Sequence, residues 1–570
     1  MTRSGERIPG AEAVPTDLLR AFCAYERALL ANDLDALDQA FADSPETLRG
    51  DSAGLLVGHA ALSAFRGVRG GVPERVIERI EHRSLTEDAA LIVSVSRFAA
   101  GGTGLQTQLW QREGGRWLIT AAHVTPRAQV FDRSVWRIVG DPLLPGAQAG
   151  PLAGLTVAVK DLFAVQGHAI GAGNPTFLAH ARPETDSAAA VGDLLRAGVS
   201  LRGIARTDEF AYSIAGANPH YGTPPNAAVP GALPGGSSNG PAAAVAAGQA
   251  DIGLATDTAG SIRVPASYQG LWGLRTTHGL VTRRGLLPLA PSFDTVGWLT
   301  RDGETLQRVV DTCLGAENSA AEAAEPAVAR EPSAGGGRPG SAEMAGPPRL
   351  PARLLVVEEA LEAAEPATRE AFADFLSLVG DVVGAPQIST VRIGALPEYQ
   401  EAFRTVQAAE AWRCHGEWLR AHPGSVGEAA AERFRVAESV SAPEETAARA
   451  VLAGLRDRLH ALVRGAVLVH PTVPGTAPAR TLAGADMEAV RTATLRMTTP
   501  AAVGGLPSLS VPLLTVPSSL GPAPVGVALV GAARTDPGLV RLGRSLVALA
   551  LEGSAPVDRS HAVDSSRFSS

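Results

Sequence analysis

Two segments rich in glycine and serine carry most of the information in this chain: PGGSSNGPAAA at residues 234–244 and ATDTAGSIRVPAS at residues 255–267. In the first, small residues let the backbone approach a ligand closely, and the serines precede a predicted helix at 241–247. The second is a tight turn leading into Ser261, and the free amides of such a turn are able to hold an oxyanion. Either segment alone is also typical of an ordinary turn with a capping serine.

A third feature separates these interpretations. Lysine and arginine together number 50 in the 570 residues, and Lys160 is the single lysine among them. A GC-rich coding bias explains most of the excess of arginine over lysine, but it does not explain why one lysine is present. Arginine stays protonated in proteins, whereas burial lowers the pKa of a lysine enough for it to act as a neutral base. We therefore predict that Lys160 performs chemistry that arginine cannot perform.

Outward from these motifs, short apolar strands alternate with helices. The pattern predicts a strand at 155–159, a helix at 187–197 and a strand at 201–204, which favours an α/β domain. Residues 317–351 consist largely of Ala, Glu, Pro, Gly and Ser, so we predict a disordered insertion there. The last residues, 552–570, are polar and are predicted to form a flexible tail.

The N-terminal part has a different pattern. Apolar residues recur at helical spacing over 18–41, and four alternating or apolar runs follow at 76–85, 90–99, 104–111 and 116–124. A helix followed by a curved antiparallel sheet predicts a small α+β domain. We therefore divide the chain into an α+β domain at 1–127, a linker at 128–150 and an α/β domain at 151–551.

Composition excludes several classes of protein. A net charge of −8 argues against a nucleic-acid partner, since phosphates require a basic surface. The three cysteines, at positions 23, 313 and 414, lie too far apart for a disulfide framework or a Cys-x-x-Cys metal site. Neither a secretory leader nor a membrane-spanning run of apolar residues is evident. These features predict a soluble, cytoplasmic protein that contacts no membrane.

Taken together, Lys160, the GGSS segment and the TDTxGSIR segment resemble the amidase signature family, serine hydrolases that use a Ser–Ser–Lys triad. The resemblance runs from about residue 152 to residue 550. It implies a mixed β-sheet core covered by helices, with no metal and no cofactor. It also implies hydrolysis of the C–N bond of a small carboxamide to a carboxylate and ammonia.

The resemblance assigns roles residue by residue. It makes Ser261 the nucleophile that forms the acyl-enzyme, and Lys160 the base. Ser237 connects the two and, in the family, lies at a cis peptide. Backbone amides would hold the oxyanion at Thr258, Ala259, Gly260 and Ser261. Supporting positions around the triad are Ser238, which would orient the lysine, and Asp257 and Arg263, which would be structural.

Three positions depart from the family pattern. Ala259 stands where many members have glycine, so a positive φ there would be strained. Asn239 and Pro241 replace residues that are more often glycine or serine, which affects the expected substrate fit.

Residues 277–298 look most like the branch of the family that contains indole-acetamide hydrolases.

The N-terminal domain resembles the AtzH-like, nuclear-transport-factor-2-like cone fold over about residues 17–124. Tyr25 and Arg49 would line its pocket, and Arg49 suits a carboxylate. An equally good interpretation makes Tyr25 a core aromatic residue and Arg49 a surface cap. Because this fold often dimerises or only binds ligands, a homodimer is compatible with it.

Two other functions share this fold. An amidotransferase A-type subunit would need a partner chain and an ammonia channel. A binding or docking protein with an inactive amidase domain is disfavoured by the intact Lys160, Ser237 and Ser261. The substrate class stays open at this level, because the branch resemblance favours small aromatic amides such as indole-acetamide, whereas the AtzH-like domain points to carboxylated urea or biuret compounds.

Overall fold

The computed structural model describes residues 8–51, 54–69, 72, 75–98, 103–125, 131–322, 353–380 and 387–553. The chain separates into two compact units, Met1–Phe131 and Asp132–Ser570. The first has an α+β organisation and the second an α/β organisation, as the sequence patterns predict.

The N-terminal unit packs three helices against a six-stranded sheet. The helices are α1 (Thr16–Ala31), α2 (Leu34–Gln39) and α3 (His59–Arg69). The strands are β1 (Leu48–Asp51), β2 (Gly54–Val57), β3 (Arg75–Ser84), β4 (Ala89–Phe98), β5 (Thr103–Glu113) and β6 (Arg116–Thr125). Their order is β2-β1-β6-β5-β4-β3, and all pairs are antiparallel except β1 with β6. Helix α1 buries Leu18, Phe22 and Tyr25, at spacings of four and three residues, on one face.

The single helix predicted over residues 18–41 is wrong, because the structure has two helices there. Asn32 has a φ of 50° and ends α1 in the left-handed conformation that asparagine tolerates better than most residues. Asp33 then begins α2 by accepting a hydrogen bond from the amide of Ala36 at 3.0 Å. The apolar periodicity continues across this break, which is why the pattern alone joined the two helices.

The C-terminal unit is built on an eleven-stranded mixed sheet, and its helices cover that sheet. The strands are β7 (Trp136–Leu144), β8 (Thr156–Lys160), β9 (Ser200–Ala205), β10 (Ile252–Asp257), β11 (Trp272–Arg275), β12 (Thr295–Thr300), β13 (Arg353–Val357), β14 (Gln387–Val391), β15 (Val467–Pro471), β16 (Ser508–Val516) and β17 (Ala523–Val530). Their order is β14-β13-β15-β17-β16-β11-β12-β10-β8-β9-β7. This arrangement is the mixed sheet core, covered by helices, that the sequence predicts.

The helices of this unit are interspersed with these strands along the chain. They are α4 (Pro175–His180), α5 (Ala189–Arg196), α6 (Asn239–Ala246), α7 (Arg263–Gln269), α8 (Gly303–Glu322), α9 (Glu358–Ala363), α10 (Pro366–Gly380), α11 (Leu396–Ala421), α12 (Glu428–Ser439), α13 (Ala442–Leu462), α14 (Gly484–Gly504) and α15 (Asp536–Gly553). None of the described helices is long and apolar enough to cross a membrane. Nor do the described residues contain a group of three or more His, Cys, Asp or Glu arranged to hold a metal ion.

Three boundaries differ from the sequence prediction. The proposed linker at 128–150 contains β7, which pairs with β9 and belongs to the large sheet, while residues 126–130 lie outside the described residues. The first six residues of the predicted insertion at 317–351 are the end of α8, where alanine and glutamate favour helix, and the rest lies outside the described residues. Helix α15 extends to residue 553, and the remainder of the predicted tail at 552–570 is likewise not described.

Two neighbouring strands inside the sheet, β8 and β10, the third and fourth from its β7 edge, position the site. They are parallel, with Ile252 opposite Val157 and Leu254 opposite Val159. All six residues of β10 are buried, as are the last four of β8, because the sheet is covered on both faces. Their carboxyl ends meet at one edge of the sheet, where an α/β fold commonly places a ligand site.

Candidate active site

Lys160 and Ser261 arrive at the same edge from these two strands. Lys160 is the last residue of β8 and is fully buried. Ser261 follows β10 after a three-residue turn and lies two residues before the start of α7. The local sequence explains this geometry, since an apolar strand ends in small residues that permit a tight turn before the next helix.

Ser237 reaches the same place from the loop before α6. The peptide bond between Gly236 and Ser237 is cis, the feature that the family resemblance implied at this position. Gly235 has a φ of 73°, and a Cβ atom there would lie 2.9 Å from the Cα atom of Pro265. Glycine is therefore required at 235, because both the backbone conformation and the close approach of α7 exclude a side chain.

The three side chains form a continuous chain of hydrogen bonds. Lys160 Nζ donates to Ser237 Oγ at 2.9 Å, and Ser237 Oγ donates to Ser261 Oγ at 2.9 Å. All three residues are buried. When Lys160 is neutral, rotation of the two hydroxyl hydrogens reverses these bonds, so that Ser261 donates to Ser237 and Ser237 donates to Nζ. A proton can then pass from Ser261 to Lys160 while the oxygen and nitrogen atoms stay in place, as a general base that acts through an intervening hydroxyl requires.

The surroundings of Lys160 favour its neutral form. Besides Ser237, Nζ donates to Ser238 Oγ at 2.9 Å and to Thr256 Oγ1 at 2.8 Å, so its three hydrogen-bond partners are all uncharged hydroxyls. Burial lowers the pKa of Lys160 to about 7, against the opposing attraction of the more distant Asp208, Asp257 and Asp294. About half of the lysine is consequently unprotonated near neutral pH.

Asp257 fixes the turn that carries Ser261. Its carboxylate accepts from the amide of Gly260 at 2.7 Å and from that of Ile262 at 3.1 Å, and it pairs with Arg263 at 2.9 Å and Arg275 at 3.2 Å. Burial alone would raise the pKa of Asp257, but the two arginines hold that pKa well below its usual value. Arg263 also donates to a backbone carbonyl of α14 at 2.9 Å, so this pair ties the turn to a distant helix.

The predicted oxyanion hole needs one correction. Of its four amides, the N–H of Gly260 already donates a hydrogen bond to the carboxylate of Asp257, so it is not free to bind a ligand. Within the described residues the amides of Thr258, Ala259 and Ser261 donate to no acceptor. The expected strain at Ala259 is absent too, because the positive φ of this turn, 131°, falls on Gly260.

A cavity that is open to solvent lies beside Ser261. One wall comes from the turn at 258–261 and from residues 211–214, and the other from helices α11 and α14. Phe210 and Ala211 have φ values of 50° and 55°, a conformation that non-glycine residues adopt at a cost and that clusters at ligand sites. The described part of the cavity is lined by Ala211, Tyr212, Ser213, Ile214, Thr258, Ala259, Ser261, Gln407, Arg491 and Leu495.

Sequence reasoning missed several of these residues. Thr256 lies inside the quoted 255–267 segment, and its proximity to Lys160 follows from the pairing of two parallel strands, which no single-segment pattern reveals. Gln407 and Arg491 lie in long helices far along the chain, without a motif. Asn239 and Pro241, expected to affect substrate fit, are buried in α6 and are not among the residues that line the described cavity.

The N-terminal unit contains its own cavity, and both predicted residues line it. Arg49 is only 5% exposed, so the alternative in which it is a surface cap is wrong. It pairs with Asp51 at 2.6 Å. Tyr25 lines the cavity and also packs edge-on against Phe41 and Trp110, so it belongs to the core as well.

The fold and the site define a class: an α/β protein with a buried Ser–Ser–Lys cluster at the carboxyl edge of a mixed sheet. The chain belongs to the amidase family, since the family model described as Amidase matches residues 141–540, more than half of its length. A second model, described as AtzH-like, matches residues 10–129. The two matches correspond to the two units of the structure.

Named relatives agree with this assignment. Amidase 1 of Arabidopsis thaliana is 34% identical over 395 residues, covering 67% of this chain and 91% of that protein. The 1-carboxybiuret hydrolase subunit AtzE of Pseudomonas sp. strain ADP is 44% identical over 168 residues, covering 29% of this chain and 36% of that protein. A solved, inhibitor-bound structure, described as a vestigial protein complex that reveals the origins of an s-triazine catabolic enzyme, is 29% identical with a TM-score of 0.60, covering 70% of this chain and 85% of that one.

Proposed function

We propose that this protein hydrolyses the C–N bond of a small carboxamide to a carboxylate and ammonia, through an acyl-enzyme on Ser261. The observation that carries the proposal is the hydrogen-bonded series from Lys160 Nζ through Ser237 Oγ to Ser261 Oγ, with 2.9 Å at each step. A serine hydroxyl is a weak nucleophile unless a base removes its proton, and this series connects Ser261 to a base that is partly neutral at pH 7.

The first half of the reaction forms the acyl-enzyme. Ser261 Oγ attacks the carbonyl carbon of the amide while its proton moves to Ser237 Oγ, and the proton of Ser237 moves to neutral Lys160. The carbonyl oxygen becomes an oxyanion that the amides at 258, 259 and 261 stabilise. When the tetrahedral intermediate collapses, the C–N bond breaks and the proton returns along the same path to the departing nitrogen, which leaves as ammonia.

The second half repeats these steps with water. Water attacks the acyl carbon, gives its proton to Lys160 through Ser237, and forms a second tetrahedral intermediate. Its collapse breaks the bond to Ser261 Oγ and returns the proton to that oxygen. The carboxylic acid leaves and ionises at neutral pH, so the enzyme is restored with its original number of protons.

The relatives support the amide substrate and its small size. One relative is described as an amidase and another as a 1-carboxybiuret hydrolase subunit, and Ser261 lines a cavity in which a small amide could reach it. A docking protein with an inactive amidase domain would have no use for a buried lysine held by three hydroxyls, because keeping that lysine desolvated costs stability.

The direct test measures ammonia release across a panel of small amides. We expect Ser261→Ala to abolish turnover while the protein stays folded, since a small buried side chain is replaced by a slightly smaller one. Lys160→Arg should be nearly as damaging as Lys160→Ala, a loss of about 10²–10⁴-fold in kcat/KM, because guanidinium cannot accept the proton. Melting curves of each variant separate lost chemistry from lost folding.

Either of two results would contradict the mechanism. Substantial hydrolysis by Ser261→Ala would show that another group is the nucleophile. Near-normal activity in Lys160→Arg would place the base elsewhere, in which case the lysine only holds its three hydroxyl partners in place.

A further inference from the structure

Helix α14 touches the turn at 258–261 through a side chain that the proposed mechanism does not use. One face of this helix lines the cavity with Arg491 and Leu495, and Thr498 lies on the same face, at spacings of four and three residues. The side chain of Thr498 is 1% exposed, and its Oγ1 donates to the backbone carbonyl of Ala259 at 2.5 Å. The turn is therefore held from a helix that lies more than 200 residues further along the chain.

This contact fixes the middle peptide unit of the turn. The carbonyl of Ala259 accepts from Thr498, while the N–H of Gly260, in the same peptide unit, donates to Asp257 at 2.7 Å. The preceding unit carries the N–H of Ala259 and the following unit carries that of Ser261, two of the amides proposed to hold the oxyanion. Because consecutive peptide units are planar and share a Cα atom, holding the middle unit at both ends restricts the direction of both amides.

A second set of contacts binds Thr498 to the same peptide unit. The backbone carbonyl of Thr498 accepts from Arg263 at 2.9 Å, and Arg263 pairs with Asp257, which holds the N–H of Gly260. A Cβ atom at Gly260 would lie 2.9 Å from Thr498 Oγ1, so helix and turn are in direct contact. Thr498 therefore reaches one end of the unit directly and the other end through Arg263.

The hydroxyl of Thr498 has an alternative use within its own helix. Oγ1 also lies 3.1 Å from the carbonyl of Thr494 and 3.5 Å from that of Leu495, and such bonds to the preceding helical turn are common for threonine. Those two carbonyls also accept amides inside α14, as in any α-helix. The carbonyl of Ala259 has no other donor among the described residues, and leaving it unpaired in a buried place is unfavourable.

We propose that Thr498 is a positioning residue for the oxyanion hole, whose hydroxyl holds the turn so that the amides of Ala259 and Ser261 point at the substrate oxygen as it becomes charged. Donors that are already in place stabilise a developing charge most, because they need not reorient during the reaction. Thr498 is not among the residues that line the cavity, so it acts through the turn. The inference rests on the proposed function, since it assigns a role in the same acyl transfer.

The first test removes the hydroxyl with little change in volume. We expect Thr498→Val to lower kcat by about 10–100-fold on the amide that the wild type hydrolyses fastest, somewhat less than the loss of a direct oxyanion donor. KM should change by less than about threefold, because the hole acts on the transition state. The pH midpoint of kcat/KM should not move, since Thr498 does not contact Lys160 or its three hydroxyl partners.

Two matched variants separate this role from packing. Thr499 is the next residue of α14 and is fully buried, but its hydroxyl donates to the carbonyl of Leu495 within the helix. Thr499→Val should therefore keep kcat within about threefold of the wild type. Thr498→Ser retains the hydroxyl and should do the same. An equal loss of kcat in Thr498→Val and Thr499→Val, or in Thr498→Val and Thr498→Ser, would make Thr498 a packing residue and overturn the inference.

A covalent probe tests the hole without amide turnover. Phenylmethanesulfonyl fluoride reacts with an activated serine: Ser261 Oγ bonds to sulfur, the S–F bond breaks, fluoride leaves, and the serine proton passes through Ser237 to Lys160. Charge that develops on a sulfonyl oxygen faces the same amides of the turn. We expect Thr498→Val to slow the labelling of Ser261, followed by mass spectrometry, by about 10–100-fold, and Thr499→Val to react as the wild type does.

The two readouts distinguish this inference from the proposed function. If labelling slows only in Thr498→Val while the wild type releases no ammonia from any amide, the role of Thr498 stands and the proposed function falls. If the wild type hydrolyses amides and Thr498→Val keeps its kcat within about threefold, the proposed function stands and the inference is overturned. Slower turnover with unchanged labelling would also overturn it, and a Ser261 that neither hydrolyses amides nor becomes labelled would overturn both.

Discussion

Basic side chains are buried in both units, but they are neutralised in different ways. The cavity of the N-terminal unit is lined by three arginines, and each has a carboxylate partner: Arg49 with Asp51 at 2.6 Å, Arg66 with Asp38 at 3.1 Å, and Arg75 with Glu26 at 2.8 Å. In the C-terminal unit, Lys160 is surrounded by hydroxyls, and its nearest partners carry no charge.

This difference shows what makes a buried cation reactive. A carboxylate at hydrogen-bond distance stabilises the charged form and offsets the cost of burial, so the proton stays on. Hydroxyls satisfy the hydrogen bonds of an amine without favouring its charge, so burial can lower the pKa of Lys160 to about 7. The chemistry of the site therefore depends as much on the charge of the neighbours as on the identity of the base.

The contrast between the two units is tested most directly by placing a carboxylate beside Lys160. Thr256→Asp places one where the hydroxyl lies 2.8 Å from Nζ. The new ion pair should raise the pKa of Lys160, keep it protonated at pH 7, and lower kcat/KM for amide hydrolysis by about 10²–10⁴-fold. Thr256→Asn, similar in size but uncharged, is the matched control and should lose much less. Equal losses in the two variants would show that the hydroxyl, and not the absence of charge, is what matters.

The reverse change removes a carboxylate from cations that depend on it. Asp257→Asn should destabilise the folded C-terminal unit by about 3–5 kcal/mol, since Arg263 and Arg275 are buried and would lose their charged partner. Chemical denaturation of the full chain, followed by tryptophan fluorescence, measures this loss. Asp251→Asn is the control, because Asp251 pairs with Arg301 at a partly exposed position and should cost under about 1 kcal/mol. Similar costs for both would refute the account of Asp257.

The pH dependence sharpens the account of the base. Only neutral Lys160 accepts a proton, so kcat/KM should rise with pH, with a midpoint near the pKa of about 7, and level off above it. Below the midpoint it should fall about tenfold per pH unit, as for any single group that must be unprotonated. Asp208, whose pKa burial raises to about 6, titrates just below this range and loses its attraction for the lysine when protonated. A profile that is flat between pH 5 and 8 would exclude Lys160 as the base.

The smallest effect is expected at a paired arginine of the N-terminal unit. Asp38→Asn removes the charged partner of Arg66, but Asp38 is 39% exposed and water replaces much of the interaction. The free energy of unfolding of that unit should fall by less than about 1 kcal/mol. Thermal melts of the full chain would detect a larger loss, and a loss above about 3 kcal/mol would mean that this pair is as desolvated as the one at Asp257.

The positions proposed for the triad, Lys160, Ser237 and Ser261, were predictable because each lies in a short segment with its own signal. Lys160 is unique in the sequence, and the segments around Ser237 and Ser261 combine small residues with serines in a pattern that few other turns need. The parallel pairing of β8 and β10 then brings these local signals together. The same reasoning failed where the information is not local, as at Arg491, whose place beside Ser261 depends on how α14 packs against α11.

Strand β7 illustrates a second limit. Its sequence, WRIVGDPLL, contains a glycine and a proline, which usually mark a connector, so residues 128–150 were predicted to be a linker. The strand lies at the edge of the sheet, and its register with β9 is irregular between Val139 and Leu144. An edge strand tolerates proline because only one side of its backbone is paired. Sequence alone does not reveal whether a segment is at an edge.

The solitary, fully buried lysine also has a practical consequence for labelling. Amine-directed reagents attack unprotonated lysines that they can reach, and in the native protein the ε-amine of Lys160 is fully buried among Ser237, Ser238 and Thr256. Unfolding would expose this one amine and leave the 49 arginines unreactive toward such reagents. A covalent mark at position 160 would therefore record each molecule whose C-terminal unit had unfolded, with no engineered probe.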